Sequence, residues 1–476
     1  MPLPKRGRPK EEIFAELERF KARDLDWKAG RVWAYVYNPG DEVREVVNRA
    51  YTMFLAENAL DPTVFPSLLH LETEVVRTLA DLLRGNENIV GNVTSGGTES
   101  ILLAVKAARD WARAERPEVK TPEMVLPMTA HAAFHKAAQY FGVKPVVVPF
   151  HPETYRADVE AMRRAITENT ILLVASAPCY SQGVVDPIPE IGALAQEYGL
   201  LLHVDACVGG IHLSFLRRMG YPVPDFDFSV PGVTSISVDM HKYGYAAKGC
   251  STILYRDKSL RRYQVFACSG TTGYTLINPT VLSSRAGAPI AGAWAILNYL
   301  GEEGYGRMVQ AVQEATRRLI DGINAIEGLR VLGQPDMCMF SFTSDTVNVF
   351  QLADEMRRRG WYLQPQFSTP LSPRNLHVSV TYGAVPAVDA LLADLREAVE
   401  VVRRMPPPDP NLVRAVVAAL VENPSPETIA RVLSLAGIRT TELPEDMALI
   451  NEVLDALPDE LVDQLLIHYI NDLYAH

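Results

Sequence analysis

Between residues 56 and 305 the chain alternates short apolar runs with longer amphipathic stretches. Short apolar runs bounded by turn-forming residues predict buried strands, and the stretches between them predict helices. This alternation favours an α/β fold with a mostly parallel central sheet and helices on both faces. Because ligands bind such sheets beyond the carboxyl ends of the strands, functional residues are expected directly after each run. The runs read EMVLP, KPVVVPF, TILLVAS, LLHVD, TSISV and CSTILY.

The pattern divides the chain into four parts. Residues 1–55 are polar and helical in pattern, and 56–305 form the large α/β domain. Residues 306–405 begin with a long helix and continue as a smaller α+β domain, with the apolar runs LRVLG, MCMFSF and LHVSV. The stretch MPPPDP marks a linker, and 406–476 form a helical C-terminal extension. Packing against the core or against a partner subunit is the simplest role for this extension.

Composition excludes several classes of protein. The hydrophobic content of 48% is that of a soluble globular protein, and the net charge of −11 argues against a nucleic-acid-binding surface. The five cysteines are scattered and lack CxxC spacing, which suits a reducing compartment better than a disulfide framework or a zinc site. No apolar stretch reaches the ~18 residues of a membrane span, and no signal peptide is visible. The sequence therefore predicts a soluble cytoplasmic protein.

A His-Lys pair, His241 and Lys242, follows the apolar run SISV. A lysine at a strand end, surrounded by apolar residues, is the setting that lowers the pKa of an amine and lets it form a Schiff base. Enzymes that use pyridoxal phosphate hold their cofactor by such a lysine. An isolated His-Lys pair is more often an ordinary surface pair, so the hypothesis needs support from other segments.

Two further segments supply this support. Asp205 ends the run LLHVD, and a buried carboxylate at this place needs a cationic partner such as a protonated pyridine nitrogen. Gly96, Gly97 and Thr98 precede a helical pattern, where small residues and helix amides favour a phosphate group. A capping aspartate and a plain glycine turn are the alternatives for the two segments. A phosphate cradle, a buried acid and a strand-end lysine in this order are much less common by chance.

Four stretches resemble the sphingosine 1-phosphate lyase family, over about residues 30–405. They are TSGGTESILLAVKAARD, HAAFHKAAQYFG, LLHVDACVGG and above all TSISVDMHKYGYAAKG. This family belongs to the fold-type I pyridoxal phosphate enzymes, beside the group II amino-acid decarboxylases. The resemblance implies pyridoxal 5′-phosphate as cofactor and retro-aldol cleavage of a phosphorylated sphingoid base to a long-chain aldehyde and phosphoethanolamine. It also implies a homodimer with shared active sites. Eukaryotic members carry an N-terminal membrane anchor, and its absence here implies a soluble, bacterial-type version.

The resemblance assigns roles to further residues. His131 matches a histidine that stacks on the cofactor ring, and His241 matches one that packs near the Schiff base and assists proton transfer. Lys248 is a candidate for binding the substrate phosphate or for moving protons. The base that takes the hydroxyl proton stays open among His241, Lys242, Lys248 and Tyr180. Four residues match positions that line the active site: Tyr37, Asn58, Tyr180 and Ser284. Of these, Tyr37, Asn58 and the loop at 270–284, which contains Ser284, are expected from the partner subunit.

Two positions depart from the family pattern. The family commonly has a histidine before the first proline of NPLHPDIFP, and this chain has Asp61 in NALDPTVFP. This change from a base to an acid affects proton transfer or contacts to the substrate phosphate. The family usually has a tyrosine where this chain has Leu276, and Tyr274 is the nearest replacement. Both departures concern the substrate and leave the cofactor residues in place.

Three alternatives accompany this interpretation. A pyridoxal phosphate-dependent amino-acid decarboxylase would use the same lysine, acid and histidine, although the tail YGYAAKG after the His-Lys pair favours the lyase. The basic stretch KRGRPK resembles a minor-groove DNA-binding arm, but it occurs once in an acidic chain. His131 and His135 have the spacing of zinc ligands on a helix, but the glutamate of HExxH and a third ligand are missing, so no metal is expected.

Overall fold

A computed structural model describes residues 3–270, 273–423 and 446–475. The chain begins with two helices, α1 (Lys10–Lys21) and α2 (Asp41–Met53). None of the α1 residues is buried, whereas α2 buries one apolar face. The segment between them crosses to the C-terminal half, where the Trp33 amide donates to the carbonyl of Tyr362 at 3.0 Å. This crossing brings the N-terminal segment next to the carboxyl edge of the central sheet.

The large domain alternates helices and strands, as the sequence predicts. The runs EMVLP, TILLVAS and LLHVD coincide with strands residue for residue. In chain order the elements are α3 (Pro66–Leu82), β1 (Val90–Thr94), α4 (Gly97–Glu115), β2 (Glu123–Pro127), α5 (Ala133–Phe141), β3 (Lys144–Val148), α6 (Val159–Ala165), β4 (Thr170–Ser176), α7 (Ile188–Tyr198), β5 (Leu201–Asp205), α8 (Gly209–Arg218), β6 (Ser235–Val238) and β7 (Ser251–Tyr255).

Seven of these strands form one sheet in the order β1-β7-β6-β5-β4-β2-β3. The pairs β6-β5, β5-β4, β4-β2 and β2-β3 are parallel, and β7 runs antiparallel to both of its neighbours. The prediction of a mostly parallel sheet is confirmed. The register pairs Ser176 with Asp205 and Asp205 with Ser237, so three strands end side by side at one edge. Residues that follow these strands therefore meet in space.

A short helix, a hairpin and a long helix connect the two domains. They are α9 (Lys258–Arg261), β8 (Phe266–Cys268), β9 (Leu276–Asn278) and α10 (Gly287–Asn324). The long helix is kinked at Gly301, whose φ of 54° lies in the left-handed region. The domain boundary predicted at residue 305 falls inside this helix, just after the kink.

The smaller domain holds an antiparallel sheet in the order β10-β11-β13-β12, covered by helices. The prediction of a small α+β domain is confirmed. Strand β12 has the sequence QPQ, which contains no apolar alternation, and the sequence did not predict it. In chain order the elements are β10 (Leu329–Val331), β11 (Met339–Ser344), α11 (Val349–Arg358), β12 (Gln364–Gln366), β13 (Asn375–Ser379), a 3₁₀ turn (Tyr382–Ala387) and α12 (Val388–Val402).

Three helices of the C-terminal extension are described: α13 (Pro410–Glu422), α14 (Ala448–Ala456) and α15 (Asp459–Leu473). Asp354 of α11 accepts hydrogen bonds from the backbone amides of Met447 and Ala448, at 3.0 and 2.7 Å. The extension is therefore attached to the small domain. Among the described residues, no helix has the length and apolarity that crossing a membrane requires.

Candidate active site

Lys242 lies in the turn that follows β6, and its Nζ lies 2.9 Å from Oδ2 of Asp239. Asp239 is 2% exposed, and its Oδ1 is buried without a hydrogen bond of normal geometry from any described residue. Burial disfavours the charged ammonium, but the Asp239 carboxylate more than offsets this and raises the pKa of Lys242 above its ordinary value. The sequence predicted a lowered pKa for Lys242. For the protein without cofactor this prediction is wrong, since the Asp239 carboxylate stabilises the ammonium.

His241 lies near the same oxygen of Asp239. Its Nδ1 accepts a hydrogen bond from the Cys250 amide at 3.1 Å, and its Nε2 lies 3.5 Å from Oδ2 of Asp239. Burial lowers the pKa of His241 to about 4, so the ring is neutral. With Nδ1 accepting, the neutral ring carries its proton on Nε2, facing Asp239. His241 thus has no free basic nitrogen in this arrangement.

Asp205 ends the neighbouring strand β5 and lies one strand away from Lys242. Its Oδ1 accepts a hydrogen bond from the Cys207 amide at 3.0 Å and one from the Ser237 hydroxyl at 3.4 Å. Asp205 is 9% exposed and close enough to contribute to the raised pKa of Lys242. The structure therefore brings the predicted acid and the predicted lysine into one site.

The predicted phosphate cradle lies at the amino end of α4, against this lysine and carboxylate. A Cβ at Gly97 would lie 2.8 Å from each Asp239 oxygen, and one at Gly96 would lie 3.7 Å from the His241 ring. Thr98 is exposed in the first turn of α4, where the helix amides have no partner within the helix. The glycines therefore allow α4 to approach the lysine turn, with its amides directed at the carboxyl edge of the sheet.

His131 follows β2, two strands beyond Asp205 at the same edge. It is exposed, and its Nδ1 accepts a hydrogen bond from the Ala133 amide at 3.1 Å. Stacking of His131 on a cofactor ring stays a prediction. His135 is exposed on α5, and among the described residues no group of three His, Cys, Asp or Glu side chains is placed to hold a metal.

Lys248 forms the entrance side of the site together with two tyrosines. Its Nζ donates to the Tyr35 carbonyl at 2.8 Å and lies 4.8 Å from the centre of the Tyr37 ring. Lys248 is exposed at the surface, but its amine loses part of its hydration against the neighbouring residues, and this loss together with the charge of Lys242 lowers its pKa to about 8. Tyr37 is therefore at the site of its own chain, contrary to the expectation that the partner subunit supplies it.

Tyr180 follows β4 and lies between the two domains. Its ring stacks on His377 of β13 with centroids 4.1 Å apart, and its hydroxyl donates to Oε1 of Gln364 at 2.7 Å. His377 is itself fixed, with Nδ1 3.1 Å from the Ser181 carbonyl oxygen. Burial raises the pKa of Tyr180, so its hydroxyl keeps its proton. The small domain thus positions this tyrosine.

Asn58 and Ser284 are close together, with Nδ2 of Asn58 3.4 Å from the serine hydroxyl. Oδ1 of Asn58 also accepts from the Arg285 amide at 2.9 Å, which ties the start of α3 to the loop before α10. Asp61 is exposed, and its Oδ1 accepts from the Thr63 amide at 2.8 Å and from the Thr63 hydroxyl at 2.7 Å. In this chain Asp61 closes a turn, and its contact with substrate stays a prediction.

Sequence reasoning missed two residues that the structure places at the site. Asp239 stands three positions before Lys242 within the very motif that identified the lysine, and a charged residue directly after an apolar run was the available signal. His377 had no such signal, because only the pairing of β13 with its neighbours brings it to Tyr180. Both residues hold a predicted site residue in place.

The site fits pyridoxal phosphate on three observations. The glycines let the amino end of α4 pack closely against the lysine turn, Lys242 presents an amine in that turn, and Asp205 presents a buried carboxylate. A phosphate, an aldehyde and a pyridine nitrogen are the three groups for which these features are suited. No feature of the described residues conflicts with this cofactor.

Comparisons with known proteins agree with the geometry. Residues 3–344 match the family described as "Pyridoxal-dependent decarboxylase conserved domain", and 410–472 match "Pyridoxal-dependent enzyme, C-terminal putative HTH domain". The sphingosine-1-phosphate lyase of Arabidopsis thaliana is 44% identical over 405 residues, which cover 83% of this chain and 73% of that protein. The chain belongs to the sphingosine-1-phosphate lyase family.

Two further comparisons bear on the choice between the lyase and the decarboxylase. A solved structure of a sphingosine-1-phosphate lyase from Burkholderia pseudomallei is 38% identical, with a TM-score of 0.81, and covers 89% of this chain and 96% of that one. A probable L-aspartate decarboxylase of Pyrococcus furiosus is 35% identical over 361 residues, which cover 76% of this chain and 94% of that protein. The predicted family and fold are confirmed, and the decarboxylase alternative has the weaker support.

Proposed function

We propose that this chain is a pyridoxal 5′-phosphate-dependent carbon–carbon lyase that cleaves sphingosine 1-phosphate and related phosphorylated sphingoid bases. The products are a long-chain aldehyde and phosphoethanolamine. The observation that carries the proposal is the meeting of Lys242, Asp205 and the amino end of α4 at one edge of the sheet. The lyase relatives, at about 40% identity over most of the chain, support the choice of substrate.

Each part of the cofactor has a candidate partner. Lys242 would hold it as a Schiff base, Asp205 would pair with its ring nitrogen, and residues 96–98 would bind its phosphate. When bound, the cofactor supplies an electron-accepting ring that weakens the bond between the amino-bearing and hydroxyl-bearing carbons. Asp205 would keep the ring nitrogen protonated, because an opposite charge at short range favours the charged form.

The base that takes the hydroxyl proton is best assigned to Lys248. Asp239 holds a proton on Lys242, His241 presents a protonated Nε2, and Tyr180 has a raised pKa. Lys248 has a lowered pKa of about 8 and therefore a substantial neutral fraction near neutral pH. In its charged form the same side chain is also the candidate for binding the substrate phosphate.

A homodimer and a cytoplasmic location complete the proposal. Large apolar side chains are exposed between the end of α2 and the start of α3 and on the β8–β9 hairpin, as expected of a surface that a second copy covers. Cys179, Cys207, Cys250 and Cys338 are buried as thiols and are not joined in disulfides, which suits a reducing compartment. Light scattering on the native enzyme tests the assembly, and the mass of a single chain would contradict it. The exposed residues are Met53, Leu55, Val64, Phe266 and Ile277.

A product assay tests the proposed activity. Purified protein with added pyridoxal phosphate is given sphingosine 1-phosphate and, separately, a panel of amino acids. We expect long-chain aldehyde and phosphoethanolamine in equal amounts. The variant Lys242→Ala should lack both products and the yellow absorbance of the bound cofactor. Release of carbon dioxide from an amino acid, without aldehyde, would show that the chain is a decarboxylase instead.

A further inference from the structure

Asp239 is a buried carboxylate that the proposed chemistry does not yet use. It is 2% exposed and lies between Lys242 Nζ at 2.9 Å and His241 Nε2 at 3.5 Å. Its Oδ1 is buried and receives no hydrogen bond of normal geometry from a described residue, although the Ser251 hydroxyl lies near enough to help lower the pKa of the carboxyl. Gly97 at the amino end of α4 covers both oxygens. A buried charge with an unpaired oxygen is costly, so its presence at this place requires a reason.

The backbone holds Asp239 at a fixed place beside the lysine. Its amide donates to the Cys207 carbonyl at 3.1 Å, and its carbonyl accepts from the Lys242 amide at 3.2 Å. The carboxylate and the ammonium therefore belong to one tight turn, and within the described part of the chain their 2.9 Å contact is the shortest ion pair of either group. Whenever Lys242 is not joined to a cofactor, its amine rests against Asp239.

We propose that Asp239 keeps Lys242 protonated after the substrate has displaced it, so that Lys242 serves as the acid of the reaction. This inference rests on the proposed function. Cleavage of the carbon–carbon bond leaves an electron pair at the amino-bearing carbon, and the Lys242 ammonium donates one proton to it. Lys242 becomes a neutral amine, which then displaces the product amine as phosphoethanolamine. Asp239 is a positioning residue, since it acts through Lys242.

Several other titratable groups face this pair. Asp205 and Cys207 approach from the end of β5, Tyr37 from the N-terminal segment, and His241 and Lys248 from the lysine turn and its continuation. Asp205 is the other carboxylate among them, and its Oδ1 is occupied by the Cys207 amide and the Ser237 hydroxyl. Removing the charge at position 239 should therefore change the pKa of the Lys242 nitrogen more than that of the other groups.

The first test is a spectroscopic titration of the holoenzyme without substrate. Two charges 2.9 Å apart interact by about one pKa unit even in water. In the isosteric variant Asp239→Asn, the pH at which the Schiff-base nitrogen loses its proton should fall by at least about one unit. The same substitution at Asp257, which caps α9 away from the site, should leave the titration unchanged. An unshifted titration together with lost activity would make Asp239 merely structural and overturn the proposal.

The second test separates the two products in a single turnover. If Lys242 is the acid, Asp239→Asn should delay phosphoethanolamine relative to aldehyde by about tenfold or more, because the aldehyde leaves before the proton is donated. Equal delays of both products would refute the assignment. The proposed function fails separately, in the wild-type enzyme, if no aldehyde forms.

A third measurement needs no variant and therefore holds even if Asp239→Asn does not fold. The wild-type full chain without cofactor is treated with acetic anhydride over a range of pH, and the acetylation of each lysine is quantified by mass spectrometry. Only neutral amines react, so Lys248 should be acetylated at lower pH than Lys242. Acetylation of Lys242 at the lower pH would show that Asp239 does not hold its proton.

Discussion

Replacing Gly97 by alanine tests how closely the cofactor cradle is packed against the lysine turn. The added Cβ would lie 2.8 Å from each Asp239 oxygen and 3.0 Å from Sγ of Cys207. Asp239 and Cys207 are only 2% and 5% exposed, so neither side chain can move aside into solvent. An extra methyl group in a packed interior costs about 1 to 3 kcal/mol. Because every group that must shift belongs to the cofactor site, affinity for pyridoxal phosphate should fall about 5- to 150-fold.

The assay is a titration of cofactor into cofactor-free protein, followed by the visible absorbance of the bound form. The matched control is Gly306→Ala in α10, where no atom lies within 4 Å of the added Cβ, and its cofactor affinity should equal that of wild type. An affinity of Gly97→Ala within about twofold of wild type would refute the packing argument. A lowered melting temperature with unchanged affinity would also refute it, since the strain would then lie in the fold and not in the site.

Two further variants test Asp205, the proposed partner of the ring nitrogen, and Lys248, the proposed base. Asp205→Asn should retain bound cofactor but lose about 10- to 150-fold in turnover, since it loses a charge-assisted hydrogen bond of about 1.5–3 kcal/mol to the ring nitrogen; near-normal turnover would contradict its role. Lys248 is charged below its pKa of about 8 and neutral above it, so kcat/KM of the wild type should rise as the pH passes through this value. Lys248→Met should lose this rise and about 100- to 10,000-fold in rate; a variant that keeps the same pH profile would show that another group is the base.

The parts of the fold that could be predicted from sequence are those whose apolar runs are unbroken. β4 is buried along its whole length and β5 at every position after its first, so their sequences read as apolar runs. The edge strand β1, VGNVT, was not predicted, because Asn92 interrupts it. Asn92 is nevertheless buried, and Glu72 and Gln264 hydrogen-bond to its side chain. Its partners are distant in sequence, so no local pattern could reveal the strand.

The residues of the candidate site likewise fall into those that the sequence could reveal and those that it could not. Asp205 ends a strand, Lys242 lies in the turn after one, and Gly97 begins a helix. They could be identified because parallel strands place residues at such positions along one edge of the sheet. The charge state of Lys242 could not be predicted, since it depends on the burial of Asp239 in the same turn. Nor could the contact of Tyr37 with Lys248, which depends on how the N-terminal segment crosses between the domains.

The C-terminal extension matches a putative helix-turn-helix family, yet its charge is unsuited to DNA. Residues 410–476 contain eleven Asp and Glu but only three Lys and Arg. Binding to the phosphates of DNA depends on Lys and Arg. Several of the acids instead bind the small domain, where Glu452 and Asp455 pair with Arg374. Arg374 directly precedes β13, and β13 carries the His377 that stacks on Tyr180. In this structure the extension therefore supports the strand that positions an active-site tyrosine, which gives it a role in the lyase itself without any need for nucleic acid.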